Sequence, residues 1–295
     1  MSILKIDTKS NCKKLLLIAV LFILVGVAGM IINGFNLGID FAGGSIAQFE
    51  LNRNFTVEEI RAISDKYDKN IVISSAGDNG TQVIIKSTVH FDEETKNALI
   101  KDMTSAFSLS DKDVLSFDTV SPTIGKELKT QAVKASLITI VCVLLYITFR
   151  IEFVSGLASI IALLHDVLIM LGFYALLGLQ VNSSFIAAVL TILGYSINSS
   201  IVVFDRIKQV KRKYGKYDYA AITDDALRNS CKRTLYTTLT TLFAVLCLYI
   251  FGVESIREFT LPMIVGFIAG AYSSLFVAPS VWYLVKTAQS SKRSK

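Results

Sequence analysis

His165 and Asp166 stand side by side inside the apolar run 154–177, about eleven residues and hence roughly 16 Å from its start if the run is helical. A carboxylate in hydrocarbon costs several kcal/mol unless a partner or water compensates it. Two readings follow: a titratable site on an ion or proton pathway, or a polar packing pair satisfied by a neighbouring helix. In the next apolar run, Thr191, Tyr195, Asn198, Val202 and Asp205 recur at helical spacing and draw a partly polar stripe, which Ser196, Ser199 and Ser200 broaden. Such a stripe can line a hydrated path, and hydroxyls and amides also serve as ordinary glue between membrane helices. Asp205, beside Arg206, reads as the end of that span.

A third polar group is Arg233, Thr234, Thr237, Thr238, Thr240 and Thr241. Thr234, Thr237, Thr238 and Thr241 share one helix face, and threonine hydroxyls can also bond back to their own helix. Arg233 is expected to anchor the helix end, with a second possible role of holding a carboxylate or ion on the preceding helix. Gly266 and Gly270 have the small-xxx-small spacing that lets helices approach closely. The segment LGIDFAGG at 37–44, with Gly38, Asp40, Gly43 and Gly44, has paired glycines beside an acid but neither a dinucleotide fingerprint nor a phosphate-loop lysine. Backbone freedom is its expected use. No Ser-His-Asp, Cys-His or zinc-binding arrangement occurs, and two histidines leave little room for one. No enzyme activity, cofactor or resident metal is expected, beyond a transient Na⁺.

The elements that must position these groups are membrane helices. Hydrophobic residues make up 52% of the chain, and a span needs about 20 apolar residues. Six runs qualify: 15–32, 132–149, 154–177, 183–204, 235–252 and 259–285, the last holding one tilted helix. The first, behind Lys5, Lys9, Lys13 and Lys14, is long enough to span and has no clear cleavage site after it, so it reads as an uncleaved helix. The net charge of +6 collects on alternate connections: the N-terminus, Arg150, the loop 205–234 and the tail 286–295. This asymmetry places those segments and both termini in the cytoplasm. The basic loop reads as a topology signal near lipid head groups rather than a nucleic-acid site. Cys12, Cys142, Cys231 and Cys247 lie at or within helices, so no disulfide framework is implied.

Residues 1–32 thus form a cytoplasmic N-terminus and first helix, 33–131 an extracytoplasmic domain, and 132–285 a five-helix bundle. Within 33–131 the pattern is a strand at 45–51, a helix at 56–67 with Thr56 and Glu59 at capping-box spacing, and strands at 70–75 and 81–87. Asp78, Asn79 and Gly80 supply the turn between those strands. A helix at 92–107 and a strand at 113–120 complete the order βαββαβ, expected for a ferredoxin-like α+β sandwich.

LGIDFAGG, SPTIGKEL at 121–128, HDV at 165–167, FIAAVLTILGYSINSSIVVFDRIK from Phe185, RTLYTTLTT from Arg233 and GFIAGAYSS at 266–274 together resemble the SecF members of the SecD/SecF family of protein-translocase auxiliary subunits, which are related to the resistance-nodulation-division exporters. The resemblance covers nearly the whole chain, in the family's order. It implies pairing with SecD beside the SecYEG channel, SecA driving the early steps, and a proton or sodium gradient used to draw the translocating unfolded polypeptide outward across the bacterial cytoplasmic membrane. The family usually reads GYS-x-N-D-T-I-V in the fourth helix, with that acid and an arginine matching Arg233 assigned to a proton relay. Here Ser199, followed by Ser200, stands at that position, and Ala42 stands where threonine is usual. A serine does not exchange a proton near neutral pH. Three readings stay open: Asp166 or SecD supplies the acid; oxygens of Thr191, Asn198, Ser199 and Ser200 hold Na⁺; or the subunit is a structural adaptor without its own ion path. Asp166, His165, Asn198, Ser199, Ser200, Thr191, Arg233 and Thr237 are the candidate relay or SecD-interface residues. A small-molecule exporter is a further alternative, for which residues 33–131 offer too small an outer domain.

Overall fold

In the computed structural model, the structure describes residues 8–77, 80–214 and 218–293. Lys5, Asp78 and Asn79 of the expected hairpin turn, Lys216 and the last two residues lie outside this range.

The chain enters through α1 (Thr8–Asn33), followed by a two-residue strand β1 (Asn36–Leu37) and one helical turn α2 (Ile39–Ala42). A small domain follows: β2 (Gly44–Glu50), α3 (Val57–Ser64), β3 (Val72–Ala76), β4 (Gln82–Ser87), α4 (Glu93–Phe107) and β5 (Val114–Val120). Its four strands form one antiparallel sheet in the order β3-β4-β2-β5. The sheet buries Phe49, Val83 and Ile85 against Ile60 of α3 and Leu99 and Met103 of α4. Each such side chain stabilises the domain by about 1.5–3 kcal/mol. α3 starts where expected, because the Thr56 hydroxyl accepts from the Glu59 amide and the Glu59 carboxylate accepts from the Thr56 amide, both at 3.3 Å. Asp92 caps α4 in the same way, accepting from Thr95 N at 2.9 Å.

Five further helical elements complete the bundle: α5 (Pro122–Arg150), α6 (Phe153–Leu176), α7 (Ser183–Tyr214), α8 (Tyr219–Phe251), and α9 (Glu254–Tyr272), which runs through a π-helical turn at Ser273–Val277 into α10 (Ala278–Arg293). A second short strand, β6 (Gln180–Val181), pairs in parallel with β1. Six helical segments are long and apolar enough to cross a membrane, the sixth being α9 and α10 together. The most apolar stretch of α6 is 56% buried and that of α5 only 6%. α6, like the sixth span at 61%, therefore lies inside the bundle, and α5 runs along the outside with Leu137, Ile138, Val141 and Leu145 exposed.

One expectation needs correcting. The connection 205–234 is not a loop, because α7 continues to Tyr214 and α8 already begins at Tyr219. Ile207, Val210, Ile222, Ala226 and Leu227 recur at helical spacing among the lysines and arginines, and they pack on the fully buried Trp282 of α10. Their apolar face holds the helices together beyond the greasy run. The same end of the bundle is tied by Glu152, which precedes α6 and accepts from Trp282 Nε1 at 2.6 Å and Lys286 Nζ at 3.0 Å. Asp224 of α8 ties α1 to this end by accepting from the Thr8 amide at 2.9 Å and from its hydroxyl.

Candidate functional site

Asp166 lies on α6 with no exposed surface, and its two oxygens reach three partners on three elements. Oδ1 is 3.0 Å from Nδ1 of His165. Oδ2 accepts from Ser196 Oγ of α7 at 2.6 Å and from Ser273 Oγ at 2.9 Å. Ser273 opens the π-helical turn, and such a turn re-aims side chains relative to a continuous α-helix. Gly270 makes room for the cluster, since a Cβ there would come 3.3 Å from Ser196 Oγ. Gly266, one turn away, lets α9 pack on Ile192 of α7, where a Cβ would come 2.4 Å from Cγ1. The expected close approach at these two glycines is thus to α7.

His165 extends the cluster toward α1. Its ring lies 5.9 Å from that of Tyr272, whose hydroxyl donates to Leu15 O at 2.8 Å. The imidazole also lines an apolar cavity of about 370 Å³ with Phe22, Ile169, Phe173, Ile268 and Tyr272. The carboxylate is therefore compensated by side chains rather than by bulk water. Such a group can exchange a proton, or accept a small cation among its oxygens, only by rearranging the bonds to Ser196 and Ser273.

The sequence grouped Asp166 with Asn198, Ser199 and Arg233, and the structure separates them. Asp166 has no exposed surface in this chain. Ser199 and Ser200 are buried on the α7 face that carries Ser196, three and four residues on, and the Ser200 hydroxyl has no partner among the described residues. Thr191 and Asn198 are exposed on the other side of α7. The Thr191 hydroxyl donates to Ala187 O at 2.8 Å within its own helix. Thr237 is exposed as well and bonds back to Arg233 O at 2.9 Å and Thr234 O at 3.0 Å. Tyr195 OH donates to Thr241 Oγ1 at 3.3 Å, which fixes the α7–α8 register. Arg233 is exposed and shares a cavity with Asp205, without an ion pair between them among the described residues. α7 continues past Asp205, which accepts from Gln209 Nε2 at 2.9 Å one turn further along the helix.

The LGIDFAGG segment works as a clamp. Gly38 N donates to Val181 O at 2.8 Å, and Asp40 Oδ2 accepts from Ser183 N at 2.8 Å, capping the first turn of α7 from a distant part of the chain. Gly43 and Gly44 have φ of 80° and 145°. At Gly44 a Cβ would lie 2.0 Å from Ser87 O, so no larger residue fits between β2 and the end of β4. Asn182 completes the cap: its Oδ1 accepts from Phe185 N at 3.0 Å, while its Nδ2 donates to Glu258 Oε2 at 2.8 Å. Glu258 of α9 in turn receives Lys86 Nζ of β4 at 3.3 Å. Sequence reasoning missed Ser273, Asn182, Glu258 and Lys86 as site residues. Ser273 carried a signal, a hydroxyl in an apolar run beside a small-residue motif; the other three are ordinary polar residues at element ends.

A family profile described as protein export membrane protein SecD/SecF, C-terminal, matches residues 99–288, and a second, the SecD/SecF GG motif, matches 28–54. Protein translocase subunit SecF of Helicobacter pylori is 34% identical over 273 residues, covering 91% of this chain and 84% of that protein. SecF of Petrotoga mobilis is 34% identical over 287 residues, covering 94% and 95%. The crystal structure of SecDF from Thermus thermophilus, a translocon-associated membrane protein, superposes with a TM-score of 0.80 at 31% identity. That match covers all of this chain but only 40% of the SecDF chain. A SecDF structure in a super-membrane-facing form gives 0.73 at 34% identity, covering 98% of this chain and 39% of that one. With both profiles matched in order along the chain and SecF proteins 34% identical over nine tenths of it, this protein belongs to the SecF family of protein translocase subunits.

Proposed function

We propose that this chain is an accessory subunit of the Sec protein-export machinery that pairs with SecD and draws on an ion gradient to promote late steps of translocation. It works beside the SecYEG channel, after SecA has driven the early steps, in a bacterial cytoplasmic membrane. Both termini are cytoplasmic, on the strength of the basic end formed by Arg150, Arg206, Lys208, Lys211 and Arg233. The βαββαβ module is a ferredoxin-like sandwich on the outer side, where it meets the unfolded polypeptide. The exposed Thr191, Asn198 and Thr237 face SecD.

The observation that carries the ion-coupling reading is the Asp166 cluster, because it joins a buried carboxylate to the helix that the outer domain holds. Neutralising Asp166, by a proton or a Na⁺, weakens its hold on Ser196 of α7. The outer end of α7 is fixed by Asp40 and Asn182, and Asn182 continues through Glu258 to Lys86 of the domain sheet. A shift of α7 against α6 would therefore reach the outer domain. The gradient is large enough, since one charge crossing 100 mV releases about 2.3 kcal/mol. In vesicles containing SecD, Asp166→Asn should abolish the response of export to an imposed gradient while leaving ATP-driven initiation in place. If export by the variant still answers to both proton and sodium gradients, Asp166 is not the carrier.

A second reading, a structural adaptor that stabilises SecD and the channel without transducing energy, is favoured by one observation. Ser199 stands where the family usually has its acid, and Asp166 is already fully partnered. The same vesicle experiment separates the two.

A further inference from the structure

We infer that the basic end of the bundle contains a phosphate-binding cavity, fitted to the headgroup of an anionic phospholipid or to a free phosphate. A cavity of about 490 Å³ opens between the inner ends of α5, α7 and α8. Three guanidinium groups line it, Arg150 from the end of α5, Arg206 from α7 and Arg233 from α8, against one wall carboxylate, Asp205. Gln209, Asn229 and Ser230 add neutral polar groups.

The charges are not balanced inside the chain. Asp205 is engaged by Gln209 Nε2, and Arg206 Nη1 by Gln209 Oε1 at 2.9 Å. Among the described residues, the side chains of Arg150 and Arg233 make no ion pair, and Nε of Arg206 is buried without an acceptor. Asn229 on the cavity wall donates to Asp225 Oδ1, one turn back along α8, at 2.7 Å. Lys208 adds a further cation near the rim, its ammonium held by Arg150 O at 2.8 Å. Guanidinium forks match phosphate oxygens in a bidentate way and lose less hydration than an ammonium on doing so. A single carboxylate against three such forks leaves a net positive, open-mouthed site of the size that holds small ligands.

Its position suits a lipid. Tyr146, Phe149 and Tyr236, 54%, 86% and 61% exposed, flank it on α5 and α8, offering apolar and aromatic surface where acyl chains and the interface would lie. Basic pockets between spans at a membrane surface are where acidic headgroups bind. The inference is independent of the role of Asp166, which lies elsewhere in the bundle.

The test uses the full chain, stripped of lipid in detergent and offered an equimolar mixture of dioleoylphosphatidylglycerol and dioleoylphosphatidylcholine, with retained lipid counted by native mass spectrometry. Wild type should keep phosphatidylglycerol in roughly tenfold preference. Arg150→Gln, Arg206→Gln and Arg233→Gln together should erase the preference, and Lys129→Gln with Lys134→Gln, at the other end of α5, should not. Arg206→Lys alone keeps the charge but not the fork, and should bind more weakly while folding normally. Millimolar inorganic phosphate is the second arm. If phosphate raises the melting temperature of wild type but not of the triple variant, and phosphatidylglycerol adds nothing, the ligand is the free anion. Retention of phosphatidylglycerol that phosphate does not displace identifies the lipid. The inference is overturned if neither probe separates wild type from the triple arginine variant, or if the Lys129 and Lys134 control loses as much.

Discussion

The interior around Asp166 and the outer face of α7 and α8 both carry polar side chains and treat them in opposite ways. Inside, one carboxylate, one imidazole and two hydroxyls satisfy one another with no exposed surface on Asp166. Outside, Asn198 is exposed, Arg233 lines the open cavity between α5, α7 and α8, and the exposed threonines bond back to their own helices. Polar groups in a membrane protein must be paired within the chain or met by something beyond it. The inner cluster is thus part of what holds this fold together, and the outer stripe makes few side-chain bonds between helices.

The largest effect that would sharpen this contrast is expected at Asp166. Asp166→Ala strands the Ser196 and Ser273 hydroxyls and the His165 ring, and should cost about 3–5 kcal/mol of stability in detergent unfolding. A loss no larger than that of an average surface substitution would show that the cluster is not structural. Next comes the junction with the outer domain. Lys86 and Glu258 have side chains 20% exposed, so Glu258→Gln should cost about 1–2 kcal/mol, measured by a double-mutant cycle with Lys86→Met. A coupling energy near zero would cut the proposed route from α7 to the sheet.

A smaller, pH-dependent effect is expected at Glu152. Burial pushes its carboxyl up, and the Trp282 and Lys286 hydrogen bonds with the nearby ammonium charges more than offset this, leaving it below the ordinary carboxylate range. Its folded value is depressed, so its contribution is present above the unfolded value and is lost as pH falls through the folded one. Unfolding followed from neutral to acid pH should show a decline that Glu152→Gln flattens. The smallest effect belongs to the outer face: Asn198→Ala should change the stability of the isolated chain by no more than about 0.5 kcal/mol. If it destabilised the isolated chain as much as Glu258→Gln does, the division between the two regions would fail.

Much of this architecture could be read along the chain. Long apolar runs marked all six spans, and the period-two and helical patterns in residues 45–120 marked each strand and helix of the small domain to within a few residues. The helical ends at 205–234 were hidden because lysines and arginines dilute the hydropathy of a stretch whose apolar residues still share one face. His165 and Asp166 stood out because charge inside an apolar run is costly. Their partners did not, because serine is common in membrane helices and nothing local tells which serine meets a given acid.

The same limit explains the GG segment. Its glycines announced unusual backbone angles, whereas the capping of Ser183 by Asp40 joins residues far apart in the chain. Hydrophobicity, periodicity and charge asymmetry are properties of a segment and its solvent, so the sequence alone determined the number of spans, the domain between the first two and the pattern of basic ends. Which polar side chains meet is a property of helix register and close approach. Only the packing of α6, α7 and α9 decided that Asp166 would be satisfied by Ser196 and Ser273, while Asn198 was left exposed and Arg233 came to line the cavity between α5, α7 and α8.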